Sequence, residues 1–167
     1  MRELAQLLND MRAAGVITDY ALFGAIAQMR FTAPVATLDA DVLVAVPSPD
    51  RVDMLAPVYA WCRARGLQSE GEGIRVGAWP VQFIPAFSPL TTEAMNNADV
   101  TDFDGEPFRV VKANYLAVIA LSVGRGKDYA RILSLLESGS VTREDVADLA
   151  KRFDLGSAWV RFQERFL

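Results

Sequence analysis

Asp39 and Asp41 are the residues of this 167-residue chain whose type and spacing point most directly to chemistry. They lie in Thr37-Leu-Asp-Ala-Asp-Val-Leu-Val-Ala-Val46, a valine-rich run bounded by Pro34 and Pro47 that reads as a strand. In an extended strand residues two apart share a face, which would project both carboxylates to one side with their Cα atoms roughly 7 Å apart. Two acids at the end of a buried strand repel each other unless a cation lies between them, and hard divalent ions such as Mg²⁺ or Mn²⁺ take oxygen ligands of this kind. A plainer reading has the same acids capping a turn or pairing with Lys112 or Arg75.

Upstream, Tyr20-Ala-Leu-Phe23 is a short apolar run followed by Gly24, and Ala25-Ile-Ala-Gln-Met-Arg30 then reads as a helix start. A glycine there lets backbone approach a ligand, and the Ala25 and Ile26 amides would offer donors to phosphate. Taken alone, such a glycine usually does no more than make the turn. Together with the aspartates it points to a site for a nucleoside triphosphate.

The elements that must hold these residues follow from periodicity. Leu4, Leu7, Leu8 and Met11 recur at helical spacing before Gly15, so the chain opens with an amphipathic helix. Arg51 to Arg65 has helical spacing and stops at Gly66. Gly66–Glu70, Ile74–Gly77 and Pro80–Phe87 read as strands of a meander that continues the sheet begun at Thr37. Ser88 opens a capped helix, and Asp102 to Val111 forms a hairpin around Asp104-Gly105. From Lys112 the pattern is helical, with stripes at Tyr115, Leu116, Ile119 and Ala120 and at Ile132, Leu133, Leu135 and Leu136. A capping box follows at Thr142 and Asp145, and a last helix carries Trp159, Phe162 and Phe166. The expected fold is α/β (α+β): a single domain over 1–167, with a mixed sheet core in 1–111 and a helical tail in 112–167 packed on it.

Composition narrows the chemistry. The chain contains no histidine and one cysteine, Cys62, so an imidazole base, an intramolecular disulfide and a zinc cluster of the usual ligands are excluded. A net charge of −4 gives no general attraction to polyanions. No window is apolar enough for a transmembrane helix and no signal peptide is evident, so a cytoplasmic protein without a membrane partner is expected. Trp61, Trp79 and Trp159 read as core or docking residues and Cys62 as a buried or half-buried small side chain.

Tyr20-Ala-Leu-Phe-Gly-Ala-Ile-Ala27 and Thr37-Leu-Asp-Ala-Asp-Val-Leu-Val44 resemble the core of the AbiEii-like minimal nucleotidyltransferases. Gly124-Arg-Gly-Lys-Asp128, with Tyr115-Leu116 before it, is similar to that family's helical Arg-x-Lys-Asp segment. The resemblance spans Tyr20 to Glu137. It implies a nucleotidyltransferase-type core in which Asp39 and Asp41 hold metal and Gly24, Ala25 and Thr37 meet the nucleotide. Lys127 balances phosphate charge, and Asp128 orients Lys127 or Arg125. Without the resemblance, Arg125 to Asp128 reads as a solvated loop before a helix.

Two positions depart from that pattern. Ala25 keeps the backbone donor but lacks the hydroxyl of a Gly-Ser turn. Related transferases carry a third carboxylate on a neighbouring strand as general base, and strand counting puts Gln82 there, whose neutral amide cannot take a proton. Glu70, Glu72 and Asp53 are the other candidates for a third acid.

The expected activity is metal-dependent transfer of a nucleoside monophosphate from an NTP to a hydroxyl on RNA, protein or a small molecule, in the setting of toxin–antitoxin pairs. The alternatives are a nucleotide- or protein-binding module that has lost turnover, and an interaction protein that docks a partner or a second copy through Trp159 to Leu167.

Overall fold

The computed structural model of the chain describes residues 1–49 and 53–167. Seven strands among them form one mixed sheet: β1 (Asp19–Phe23), β2 (Ala40–Ala45), β3 (Ser69–Glu70), β4 (Gly73–Val76), β5 (Trp79–Pro85), β6 (Asp99–Phe103) and β7 (Glu106–Val110), in spatial order β3-β4-β5-β2-β1-β7-β6. The meander runs antiparallel from β3 to β5. Its last strand then lies parallel to β2, because helix α3 (Ala56–Ala64) intervenes between β2 and the meander.

On the other side β2 pairs antiparallel with β1, and β1 lies parallel to β7, whose hairpin partner β6 closes the edge. The hairpin turns at Asp104-Gly105, both at positive φ, the conformation that a two-residue turn between twisted strands requires. β1 and β7 are far apart in sequence, so the place of the hairpin beside β1 was not visible in the chain pattern.

Helices cover both faces. Tyr20 and Val44 stand opposite each other on β1 and β2, and the Tyr20 hydroxyl donates to Asn9 of α1 (Arg2–Ala13), so this face carries α1. Leu4, Leu7, Leu8 and Met11 turn inward from it. Leu43 and Ile84 point to the other face, toward Ile119 and Ala120 of α5 (Ala113–Val123). Helix α5 is buried almost all round, as a central helix must be, packed between the sheet and the helices that follow it.

Those helices are α6 (Gly126–Glu137), α7 (Arg143–Arg152) and α8 (Gly156–Phe166). One continuous cluster of buried side chains includes Leu4 at one end of the chain and Phe162 at the other, with Trp159 and Cys62 in it. Trp61 and Trp79 pack against it half-buried. No helix among the described residues is long and apolar enough to cross a membrane.

Capping follows the chain's polar residues. Ser88 caps α4 (Pro89–Asn96) by accepting from the Thr91 amide, and Thr142 caps α7 by accepting from the Asp145 amide.

Several boundaries differ from the sequence expectation: β3 starts at Ser69 and not at Gly66, and β5 ends at Pro85 and not at Phe87. The strand expected from Thr37 begins only at Ala40, so Asp39 lies in a bend before β2 and not within it. Leu38, 89% exposed, shows why: the chain reaches the sheet only after that residue, and the alternation that buries Ala40, Val42 and Val44 cannot include it. The helix expected from Arg51 begins at Ala56; Asp50, Arg51 and Val52 lie outside the described residues. Asp53 accepts from the Ala56 amide at 3.0 Å and so ends the approach to that helix.

Candidate functional site

Asp41 is the second residue of β2, and Gln82 of β5 lies beside it in parallel register. Strand counting expected Gln82 on a strand neighbouring the aspartates, and it lies on one. Asp39 reaches the same cleft from the bend, where the Thr37 hydroxyl donates to its backbone carbonyl at 3.1 Å and lies 3.3 Å from its carboxylate. The short helix α2 (Gly24–Gln28) starts immediately after β1, whose Phe23 stands opposite Asp41.

Gly24 has a φ of +68°, and a Cβ there would lie 2.1 Å from Asp41 Oδ2. Only glycine fits this contact, for steric reasons as well as for backbone conformation.

Facing the acids is the start of α6. Arg125, Lys127, Asp128 and Arg131 line the cleft with Asp39, Asp41, Gln82, Thr91 and Ser122, around a cavity of about 450 Å³. Phe23, Leu43, Ile84, Ile119 and Val123 give it an apolar portion.

Asp128 is 1% exposed and holds this wall together. It accepts from the Arg125 backbone amide at 3.2 Å and from Arg125 Nε at 2.8 Å, and it lies 3.6 Å from Arg131 Nη1. Of the two residues it was expected to orient, Asp128 therefore orients Arg125. Arg131 was not anticipated; it falls three residues after Asp128, on the same helical face, and that spacing was the signal available.

The electrostatics follow from burial. The Asp41 carboxyl is pushed above its ordinary value, chiefly by burial and next by the charge of Asp39, with Arg131, Lys127 and Arg125 opposing. Neither aspartate forms an ion pair among the described residues. Arg75 pairs with Glu70, and Lys112 with Asp99 at 3.7 Å, so the two acids do not pair with Arg75 or Lys112.

Glu70, Glu72 and Asp53 do not line the cleft, whereas Gln82 does. Ala25 lies half-buried at the start of α2, outside the cleft lining, and Thr37 touches the cleft only through Asp39.

Among the described residues no three His, Cys, Asp or Glu side chains cluster as a protein-only metal cage. Two carboxylates without ion-pair partners among the described residues and an amide oxygen do fit a cation such as Mg²⁺, which usually takes one or two carboxylates and completes its shell with water and substrate phosphate. A larger cavity, about 520 Å³, lies between α6, α7 and the C-terminus, but it contains no comparable group of opposed charges.

No protein-family model and no curated protein matches the sequence. Solved structures do. An antigenic nucleotidyltransferase-like protein from Paracoccidioides brasiliensis superposes with a TM-score of 0.52 at 14% identity, over 95% of this chain and 92% of that one. ANT(2")-Ia in complex with adenylyl-2"-tobramycin superposes with a TM-score of 0.52 at 13% identity, over 98% and 97%. The chain has a nucleotidyltransferase-like fold. In that nucleotidyltransferase-like frame, the paired aspartates and the cationic start of α6 line one cleft, Gly24 packs against Asp41, and Gln82 stands beside Asp41.

Proposed function

We propose that the protein is a nucleotidyltransferase acting on a nucleoside triphosphate. The observation that carries this reading is the opposition, across one cleft, of two unpaired aspartates to Arg125, Lys127 and Arg131. Asp39, Asp41 and the Gln82 carbonyl would hold Mg²⁺ or Mn²⁺. Bound there, the ion would supply Lewis-acid stabilisation of charge developing on the phosphoryl oxygens.

The chain's own residues do the rest. Arg125 and Lys127 attract the triphosphate and neutralise the leaving pyrophosphate. The apolar portion formed by Phe23, Ile84, Ile119 and Val123 offers room for the nucleoside. An acceptor hydroxyl oxygen forms a bond to the α-phosphorus as the bond to the bridging oxygen of the β-phosphate breaks. Gln82 cannot accept the hydroxyl proton, which therefore passes to water.

ANT(2")-Ia, with its bound adenylyl-2"-tobramycin, supports a hydroxyl-bearing small molecule as one acceptor class; RNA and protein acceptors are the others. The AbiEii-like resemblance, with its toxin–antitoxin setting, belongs to the same proposal.

The test is calorimetric titration of each NTP with Mg²⁺ into the wild type and into an Asp39→Ala, Asp41→Ala variant. Binding confined to the wild type in the presence of metal, followed by pyrophosphate release with an acceptor, is the expected result; no NTP binding at all would sink the proposal. Gln82 beside Asp41 specifically favours a second reading, a nucleotide-binding module without turnover, marked by NTP affinity with no pyrophosphate release from any acceptor.

A further inference from the structure

Arg131 has an environment that a purely structural arginine would not need. Its side chain is 12% exposed, which removes a guanidinium from most of its water. Nε donates to Gln28 Oε1 at 3.1 Å, and Nη1 lies 3.6 Å from Asp128, a carboxylate already held by Arg125. Nη2 has no hydrogen-bond partner among the described residues, although the side chain borders the cleft that holds Asp39 and Asp41. Burial pushes its pKa down, as expected for a cation with incomplete compensation.

Gln28 is itself 4% exposed. It sits at the end of α2, the helix that starts at Gly24, so its bond to Arg131 ties the glycine turn to the cationic wall across 103 residues of sequence. The cleft balances three carboxylates, Asp39, Asp41 and Asp128, against three cations, Arg125, Lys127 and Arg131. A divalent ion on the aspartates would leave it positive, and only an anion of several charges would restore the balance.

We propose that Arg131 is an oligophosphate-contacting residue of this cleft and that Gln28 positions it by fixing the guanidinium at Nε. The inference rests on the nucleotide reading for its biological ligand but not for its test. An arginine anchored at one edge presents its remaining N–H groups in a fixed fork, the geometry that suits adjacent phosphate oxygens. Gln28 also donates through Nε2 to Thr32 Oγ1 at 3.4 Å, but its effect on the ligand passes through Arg131.

The experiment titrates inorganic tripolyphosphate with Mg²⁺ into the full chain and into Arg131→Gln, Arg131→Lys, Gln28→Leu and the Arg131→Gln, Gln28→Leu double variant, with circular dichroism confirming each fold. Arg131→Gln is expected to weaken binding by about tenfold or more, the loss of a charge-assisted fork. Arg131→Lys, which keeps the charge and disturbs the fold least, should recover part of it. Gln28→Leu should weaken binding severalfold in the wild-type background and not at all in the Arg131→Gln background, a coupling that a merely structural role would not produce.

Tripolyphosphate affinity of a folded Arg131→Gln or Arg131→Lys variant within twofold of wild type, or no binding by the wild type, would overturn the inference. Arg131-dependent tripolyphosphate binding without NTP binding would leave this inference standing and remove the nucleotide reading. NTP binding that ignores Arg131 would do the reverse.

Discussion

Asp41 and Gln82 stand side by side on parallel neighbouring strands, a carboxylate and an amide at one level of the sheet. The amide is the one polar group of that pair unable to take a proton. Gln82→Asp would put a candidate base beside the proposed metal ligands, and general-base catalysis typically contributes about 10²–10⁴-fold. The variant is expected to raise Mg²⁺-dependent pyrophosphate release at least tenfold over wild type, measured with a coupled phosphate assay. A folded, NTP-binding Gln82→Asp protein with unchanged turnover would show that an acid at this position does not limit the reaction.

Gly24 is fixed by its neighbour as much as by its backbone. Gly24→Ala drives a methyl group into the Asp41 carboxylate at a φ of +68°. Strain of this kind costs roughly 1–3 kcal/mol. Urea denaturation should register that loss, and calorimetry should find Mg²⁺-NTP affinity reduced as well, since the carboxylate must move aside. Unchanged stability and affinity together would mean that the contact relaxes freely.

Asp128 should be the costliest cleft residue to remove. Asp128→Ala takes the shared partner from Arg125 and Arg131 and deletes the acceptor of the Arg125 amide at the start of α6. The expected loss is about 2–4 kcal/mol, below that of a fully buried pair because Arg125 is 60% exposed. Chemical denaturation measures it; a loss under ~0.5 kcal/mol would mark the cluster as surface decoration.

Much of this arrangement was legible from the chain. Leu4, Leu7, Leu8 and Met11 announce α1 because one helical stripe must be buried, and Thr142 with Asp145 announces α7 because a helix start needs acceptors for its free amides. Asp39 and Asp41 stood out because paired acids next to a valine-rich strand have few structural uses, and Gln82 followed from counting strands.

Pairings set by tertiary packing were not legible. Gln28 and Arg131 are 103 residues apart, and neither carries a local pattern naming the other. The placement of β7 against β1 is of the same kind. Asp39 fell outside its expected strand because periodicity cannot show where a chain leaves the sheet, and exposed Leu38 marks that point only once the fold is known.

Asp41 also fixes how stability should depend on pH. Burial, and then the charge of Asp39, raise its folded-state pKa above the ordinary 3.8. The folded chain therefore holds this proton more tightly than the unfolded one. The resulting stabilisation is fully present below about pH 3.8 and lost as pH rises through the folded-state value, so at neutral pH the ionised carboxylate destabilises the metal-free protein. Asp41→Asn should then melt a few degrees above wild type at neutral pH in EDTA, since ~1 kcal/mol corresponds to about 2–4 °C at this chain length. The gap should close on acidification, as wild-type Asp41 takes up its proton. Mg²⁺ should narrow it from the other direction by stabilising wild type and not the variant. Thermal melts of both proteins across pH, with and without Mg²⁺, decide the matter. A wild type already more stable than Asp41→Asn at neutral pH in EDTA would show that Arg125, Lys127 and Arg131 compensate the carboxylate fully, and would remove the electrostatic case for a cation between Asp39 and Asp41.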